Sequence, residues 1–286
     1  MLSNIGGAAT LVGDPPNIMI GSAGGIDFTR FLVHMGPPIS GVWIGTVALL
    51  LFLFRKDLVP GEITKLDMDH SKAIKDPVRL RRTIYALGLI VILFFVHHHF
   101  HIYPAYAAFI GLALALALLQ PEPDSLFGSV NWSVLIFFSG LFIIVGGVES
   151  SGLLTLLGAK LGALATDPNM LLITCLLLMW VSAILSAIVD NIPFTVTMIP
   201  IILSLESQGV NITPLWWSLS MGVGLGGNAT HIGATANLIV VSESEQCGIK
   251  DARITPATWI KHGIPTTLVS LTLATALFTL FFDYFL

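Results

Sequence analysis

The sequence predicts an all-α polytopic membrane protein. Three observations carry the prediction: an apolar composition, uncharged runs of membrane length, and two glycine-rich interruptions that repeat one another. Of 286 residues, 55% are hydrophobic and 10% charged, whereas a soluble domain carries about 25% charged residues. Crossing roughly 30 Å of hydrocarbon takes about 20 mostly apolar residues. Residues 36–54, 125–148, 171–189 and 263–282 supply such runs without Asp, Glu, Lys or Arg. Residues 83–96 and 102–119 form a shorter pair around His97, His98, His99 and His101, read as a helical hairpin with an interfacial turn; the histidines also admit a metal site.

The two interruptions come next. Laying residues 6–22 on 226–242 without gaps, an offset of 220, pairs Gly6 with Gly226, Gly7 with Gly227, Ala9 with Ala229, Thr10 with Thr230, Gly13 with Gly233, Asn17 with Asn237 and Ser22 with Ser242. Small and polar identities inside apolar surroundings point to an internal repeat. Gly36 and Pro38 then match Gly263 and Pro265 ahead of a closing apolar helix. The first copy's last helix ends at Arg55 and Lys56, the second's at Asp283 with no basic residue. By the positive-inside tendency the copies have opposite orientation. Residues 1–54 therefore read as the end of a first repeat and 83–286 as a complete second one. Residues 55–82 link them, and because eight of the thirteen Lys and Arg lie there, this connector is expected on the cytoplasmic side. Asp76 followed by Pro77 reads as an N-cap and a first-turn proline. No cleavable signal peptide is expected.

Glycine weakens a helix by about 1 kcal/mol per residue, and backbone groups freed at membrane depth must find partners. Gly222, Gly224, Gly226, Gly227 and Gly233, interleaved with Asn228, Thr230, Thr235 and Asn237, thus mark a helix broken near mid-membrane. Half-helix ends then offer N–H groups on one side and carbonyls on the other for an anion or a cation. The first copy, with Asn4, Thr10 and Asn17, adds Asp14, Pro15 and Pro16. An acid at membrane depth marks an ion path or proton site, and Asp14 can equally cap the helix starting at Pro15. Asp190 and Asn191, followed by Pro193 and Thr195, precede an apolar run too short to span. They read as the tip of a re-entrant hairpin facing the broken helix, or as a surface turn capped by Asp190.

Other chemistries find little support. Cys175 and Cys247 allow neither a disulfide framework nor a cysteine-rich metal site. The glycines around Gly222–Gly227 lack the strand-turn-helix context of a dinucleotide loop, and no zinc-helix or serine-elbow motif is present. No enzyme and no nucleic-acid partner is expected.

The stretch from Asn4 to Ile18, with Asp190-Asn191-Ile192-Pro193-Phe194-Thr195 and Gly226-Gly227-Asn228-Ala229-Thr230, resembles the ion transporter superfamily that includes ArsB-type arsenite permeases, the P protein, and citrate and dicarboxylate carriers. The resemblance implies inverted repeats, each with a re-entrant hairpin and a discontinuous helix, framing a mid-membrane site moved by alternating access. It also implies that a first hairpin should precede Ser3, so that a truncation, a separate partner chain or an inactive remnant are the readings of its absence. The expected function is an inner-membrane permease for a small anion, arsenite or antimonite first, coupled to Na+ or H+ and without other cofactors. A sodium/proton antiporter and a citrate or dicarboxylate carrier are the alternatives on the same scaffold. Asn4, Thr10, Asn191, Thr195, Asn228 and Thr230 would line the site with Asn17 and Asn237, while Asp14 and Asp190 would handle cations or protons. The resemblance allows a homodimer and an ATPase subunit as partners.

Overall fold

The computed structural model describes residues 1–56, 74, 76–100, 102, 104–130, 132–152, 170–188, 191–246 and 253–286. The regular secondary structure among these residues is all helical, without strands. The helices are α1 (Leu2–Gly7), α2 (Pro15–Ala23), α3 (Phe28–Leu53), α4 (Pro77–Val96), α5 (Pro104–Leu119), α6 (Pro123–Ser129), α7 (Trp132–Ser150), α8 (Leu171–Ile188), α9 (Asn191–Glu206), α10 (Thr213–Gly226), α11 (Thr235–Gln246) and α12 (Pro256–Leu280). Among the described residues α3, α8 and α12 are long and apolar enough to cross a membrane. Asp190, Cys247, His101 and most of the connector lie outside the described residues. The chain divides into two compact units, Met1–Arg55 with Ser139–Leu286, and Lys56–Phe138.

In the smaller unit, Asp76 caps α4 as its sequence suggests. Its Oδ1 accepts from Val78 N at 3.0 Å and Arg79 N at 2.9 Å, and Pro77 occupies the first turn. The chain turns through a short 3-10 segment, His97–Phe100, where a His97 ring nitrogen engages the Phe94 carbonyl. α5 then returns along α4, with Gly111 against Ile90 and the Arg82 guanidinium donating to the Leu118 carbonyl at 2.8 Å. This is the expected hairpin.

The uncharged run 125–148 is not one helix. It divides into α6 and α7 around Val130, which is extended. Gly128 and Ser129 are poor helix formers, and the Ser129 hydroxyl donates to the Leu126 carbonyl instead of leaving the turn to continue. Two other runs begin earlier than charge-free windows suggest. Asp27 caps α3 by accepting from Arg30 N at 2.8 Å, and Thr255 caps α12 by accepting from Thr258 N at 3.1 Å. A search for uncharged residues stops short of Arg30 and Lys261, which lie in the first two turns of these helices.

In the larger unit, α8 and α10 pack through small residues. Gly222 and Gly226, four apart, lie directly on the backbones of Met179 and Ala183, and Ser186 donates to the Val223 carbonyl at 3.1 Å. Such small-residue seams let helices approach where lipid offers no hydrophobic drive. α3 and α12 run antiparallel: Gly41 meets Leu277, Gly45 meets Leu273, and Phe54 packs on the His262 ring. The Tyr284 hydroxyl donates to the Val33 carbonyl, and His34 stacks between Trp217 and Tyr284 with both ring centroids at 4.9 Å. These antiparallel helices are the ones the repeat makes equivalent, and each keeps its prolines, Pro37 and Pro38 or Pro265, within a continuous helix.

Candidate functional site

The breaks between α1 and α2 and between α10 and α11 share one hydrogen-bond pattern at the repeat offset. Asn17 Nδ2 donates to the carbonyls of Gly7 at 3.2 Å and Thr10 at 3.0 Å. Asn237 Nδ2 donates to those of Gly227 at 2.8 Å and Thr230 at 2.9 Å. The last turn of a helix leaves carbonyls without partners, and in each copy the asparagine one turn into the next half-helix reaches back to satisfy them. The glycines permit the close fold. A Cβ on Gly7 would stand 2.8 Å from the Gly13 carbonyl oxygen, and one on Gly227 would stand 2.7 Å from that of Gly233.

The two breaks lie against each other in opposite directions. Asn4 Nδ2 donates to Asn228 Oδ1 and to Asn237 Oδ1, both at 2.9 Å. Ala8 touches Gly224, Ser220 Oγ donates to Asn17 Oδ1 at 2.7 Å, and Gly24 lies beside Trp216. As one segment advances through 4, 8, 17 and 24, its neighbour falls through 228, 224, 220 and 216, so the two run antiparallel, as inverted repeats require. Each clamping asparagine therefore closes its own break through Nδ2 and takes a donor from the opposite half through Oδ1.

The hairpin tip docks across the repeats. Asn191, at the start of α9 and 4% exposed, donates through Nδ2 to both Asp14 carboxylate oxygens, at 3.1 and 3.3 Å. Through Asn191 the tip helix thus meets the first copy's break, α9 packing on α2. Asp14 occupies the N-cap position of α2, yet its side chain makes no capping hydrogen bond. An N-cap oxygen accepts from N–H groups of its own first turn, and Pro15 and Pro16 have none to donate.

The asparagines expected at the site come together. Asn4, Asn228 and Asn237 form one network, while Asn17, bonded to Ser220, and the Asp14–Asn191 pair border it. Asn17, Asn228 and Asn237 are fully buried. The threonines behave differently. Thr10 contributes its carbonyl; the Thr195 hydroxyl donates within its helix to Asn191 O at 2.8 Å; Thr230 donates to Ala187 O at 2.5 Å and pins the second break to the end of α8. Sequence reasoning passes over Ser220 and over Trp259, whose Nε1 donates to the Asn228 carbonyl at 3.1 Å. Neither stands in a polar cluster that would single it out. A cavity of about 350 Å³ opens beside the network, lined by Ser3, Asn4, Ala236, Asn237, Trp259 and His262 among others.

A profile of the CitMHS citrate transporter family matches residues 1–222. The chain is 36% identical over 278 residues to an uncharacterized transporter of Mycobacterium tuberculosis strain H37Rv, a match covering 95% of this chain and 63% of that protein. An uncharacterized transporter of Synechocystis is 31% identical, covering 96% and 65%. The human P protein is 28% identical over 329 residues, covering 87% of this chain and 39% of that protein. The chain thus spans less than two thirds of the length of these relatives. With inverted broken helices and this extent of similarity, the chain belongs to the CitMHS citrate transporter family.

Proposed function

We propose that this chain carries the core of a secondary permease for a small anion, with citrate-type carboxylates as the substrate class, working by alternating access. The observation that carries the reading is the Asn4 amide held between Asn228 and Asn237, which joins two inverted broken helices at one polar centre. Half-helix ends meeting at an interface between inverted repeats are the usual frame of such a site. Membership of a citrate transporter family favours citrate over arsenite. Arsenite is the second reading, favoured by the resemblance of residues 4–18 to arsenite permeases.

In this reading residues 1–54 close a first repeat, 83–286 form the second, and the basic segment 55–82 stays in the cytoplasm beneath an inner membrane. Asp14, with Asp190, serves the coupling ion, Na+ or H+. The Asp14–Asn191 contact gives that role a structural basis, since it ties an acid at the first break to the tip helix of the second repeat. Closing around an ion there would pull α9 against α2.

The test is uptake of labelled citrate and of arsenite in cells lacking their own carriers, with sodium and proton gradients imposed in turn. The chain is expressed alone and joined to the reading frame preceding it. Gradient-dependent citrate uptake supports the proposal. Arsenite movement without citrate movement favours the second reading, and no movement of either from either form sinks both.

A further inference from the structure

The two breaks share a backbone but differ in what they offer a ligand. At the second break, Asn228 is 0% exposed; its Oδ1 takes the Asn4 amide and its carbonyl takes Trp259, while Nδ2 is buried with no hydrogen-bond partner among the described residues. His231, three residues on, has a buried Nδ1 that is likewise unpartnered. A buried polar atom left unpaired costs about 1–3 kcal/mol, so two in one break need an explanation. At the matching positions of the first copy stand Ala8 and Leu11, both fully buried and apolar. The second difference lies in the half-helix that follows. α2 opens with Pro15 and Pro16, which have no N–H, whereas α11 opens with Thr235 and Ala236, which do. First-turn N–H groups at a helix N-terminus have no partner within the helix and favour negative charge. Finally, Asp14 stands at the first break where Ala234 stands at the second.

We propose that the second break alone is the seat of the substrate carboxylate, held by Asn228 Nδ2, His231 Nδ1 and the N–H groups opening α11. The first break, with a carboxylate and two prolines, repels the same ligand. The space is at hand: the cavity of about 350 Å³ has Ala236 and Asn237 of α11 in its wall, together with Asn4 and Trp259, the two residues bonded to Asn228. That volume suits a small polycarboxylate. The permease would then read its anion with one repeat only, even though both repeats build the same break.

This inference rests on the anion-permease reading, and the experiment separates the two. The full chain is purified in detergent, and equilibrium binding of labelled citrate and of sodium is measured for wild type, Asn228→Asp, His231→Leu and Ala236→Pro. The last two install residue types that the first copy already carries at the matching positions, Leu11 and Pro16, so the break has a precedent for accommodating them. Asn228→Asp keeps the oxygen that Asn4 contacts. Each variant is expected to weaken citrate binding by about tenfold or more while sodium binding stays within about twofold of wild type. Should Asn228→Asp fail to fold, the other two decide. Wild-type affinity for citrate in both His231→Leu and Ala236→Pro overturns the inference and leaves the permease reading intact. Absence of citrate and sodium binding in the wild type sinks the permease reading and this inference with it.

Discussion

Asn4 donates its side-chain amide to Asn228 Oδ1 at 2.9 Å, and the repeat offset converts this pair into Gly224 and Ala8, which also touch. A contact that maps onto a second contact when the two copies are exchanged is the mark of a local two-fold relation. One mutation at this centre should therefore be felt by both broken helices.

Asn4→Ala removes a donor shared by Asn228 and Asn237 and leaves two buried acceptors without it. A loss of about 1–3 kcal/mol is expected, and Asn4→Asp should cost more because its oxygens face the same acceptors. Thermal unfolding in detergent checks this; Asn4→Asp as stable as wild type would show that the network does not hold the breaks together.

Asn17→Ala and Asn237→Ala each delete an amide that bridges two carbonyls of a break. Because the pattern is the same, their destabilisations should agree within about 0.5 kcal/mol and add in the double variant. A large disparity in denaturation midpoints would mean that only one clamp is needed.

Asp14→Asn keeps shape but removes charge opposite the Asn191 amide. Gradient-driven citrate uptake should fall by about tenfold or more, and the double variant with Asn191→Ala should lose little beyond that, since contacting groups couple. Uptake that keeps its ion dependence in Asp14→Asn would place the coupling ion elsewhere.

Gly226→Ala should destabilise by about 1–3 kcal/mol through overpacking. A methyl there meets the Ala183 backbone and not its side chain. Ala183→Gly should therefore give no rescue; recovery of the unfolding temperature in the double variant would contradict the contact.

Asp76→Ala removes a cap with two hydrogen bonds, worth about 1 kcal/mol locally. Amide exchange should rise in the first turn of α4 while citrate binding stays within about twofold of wild type. A larger effect on binding would tie this cap to the site.

Local chemistry made much of this legible. Charge-free runs located the apolar helices, Asp76-Pro77 announced its cap, and seven identities at a fixed offset exposed the repeated break because only small residues tolerate such close backbone approach. The helix starts at Asp27 and Thr255 are invisible to apolar windows, because capping residues sit outside them. The interruption at Val130 is equally invisible, because hydropathy does not register a hydroxyl competing for a carbonyl.

The sequence by itself determined the membrane class, the doubled break and the asparagines that close it, because glycine, proline and amide side chains impose their backbone consequences within a few residues. Only the tertiary structure decided that the tip residue Asn191 meets Asp14 of the other copy, that Thr195 and Thr230 spend their hydroxyls on backbone carbonyls, and that Asn4 joins the two breaks. Those pairings link residues up to 233 positions apart. They follow from which helix faces pack together, which no local pattern encodes.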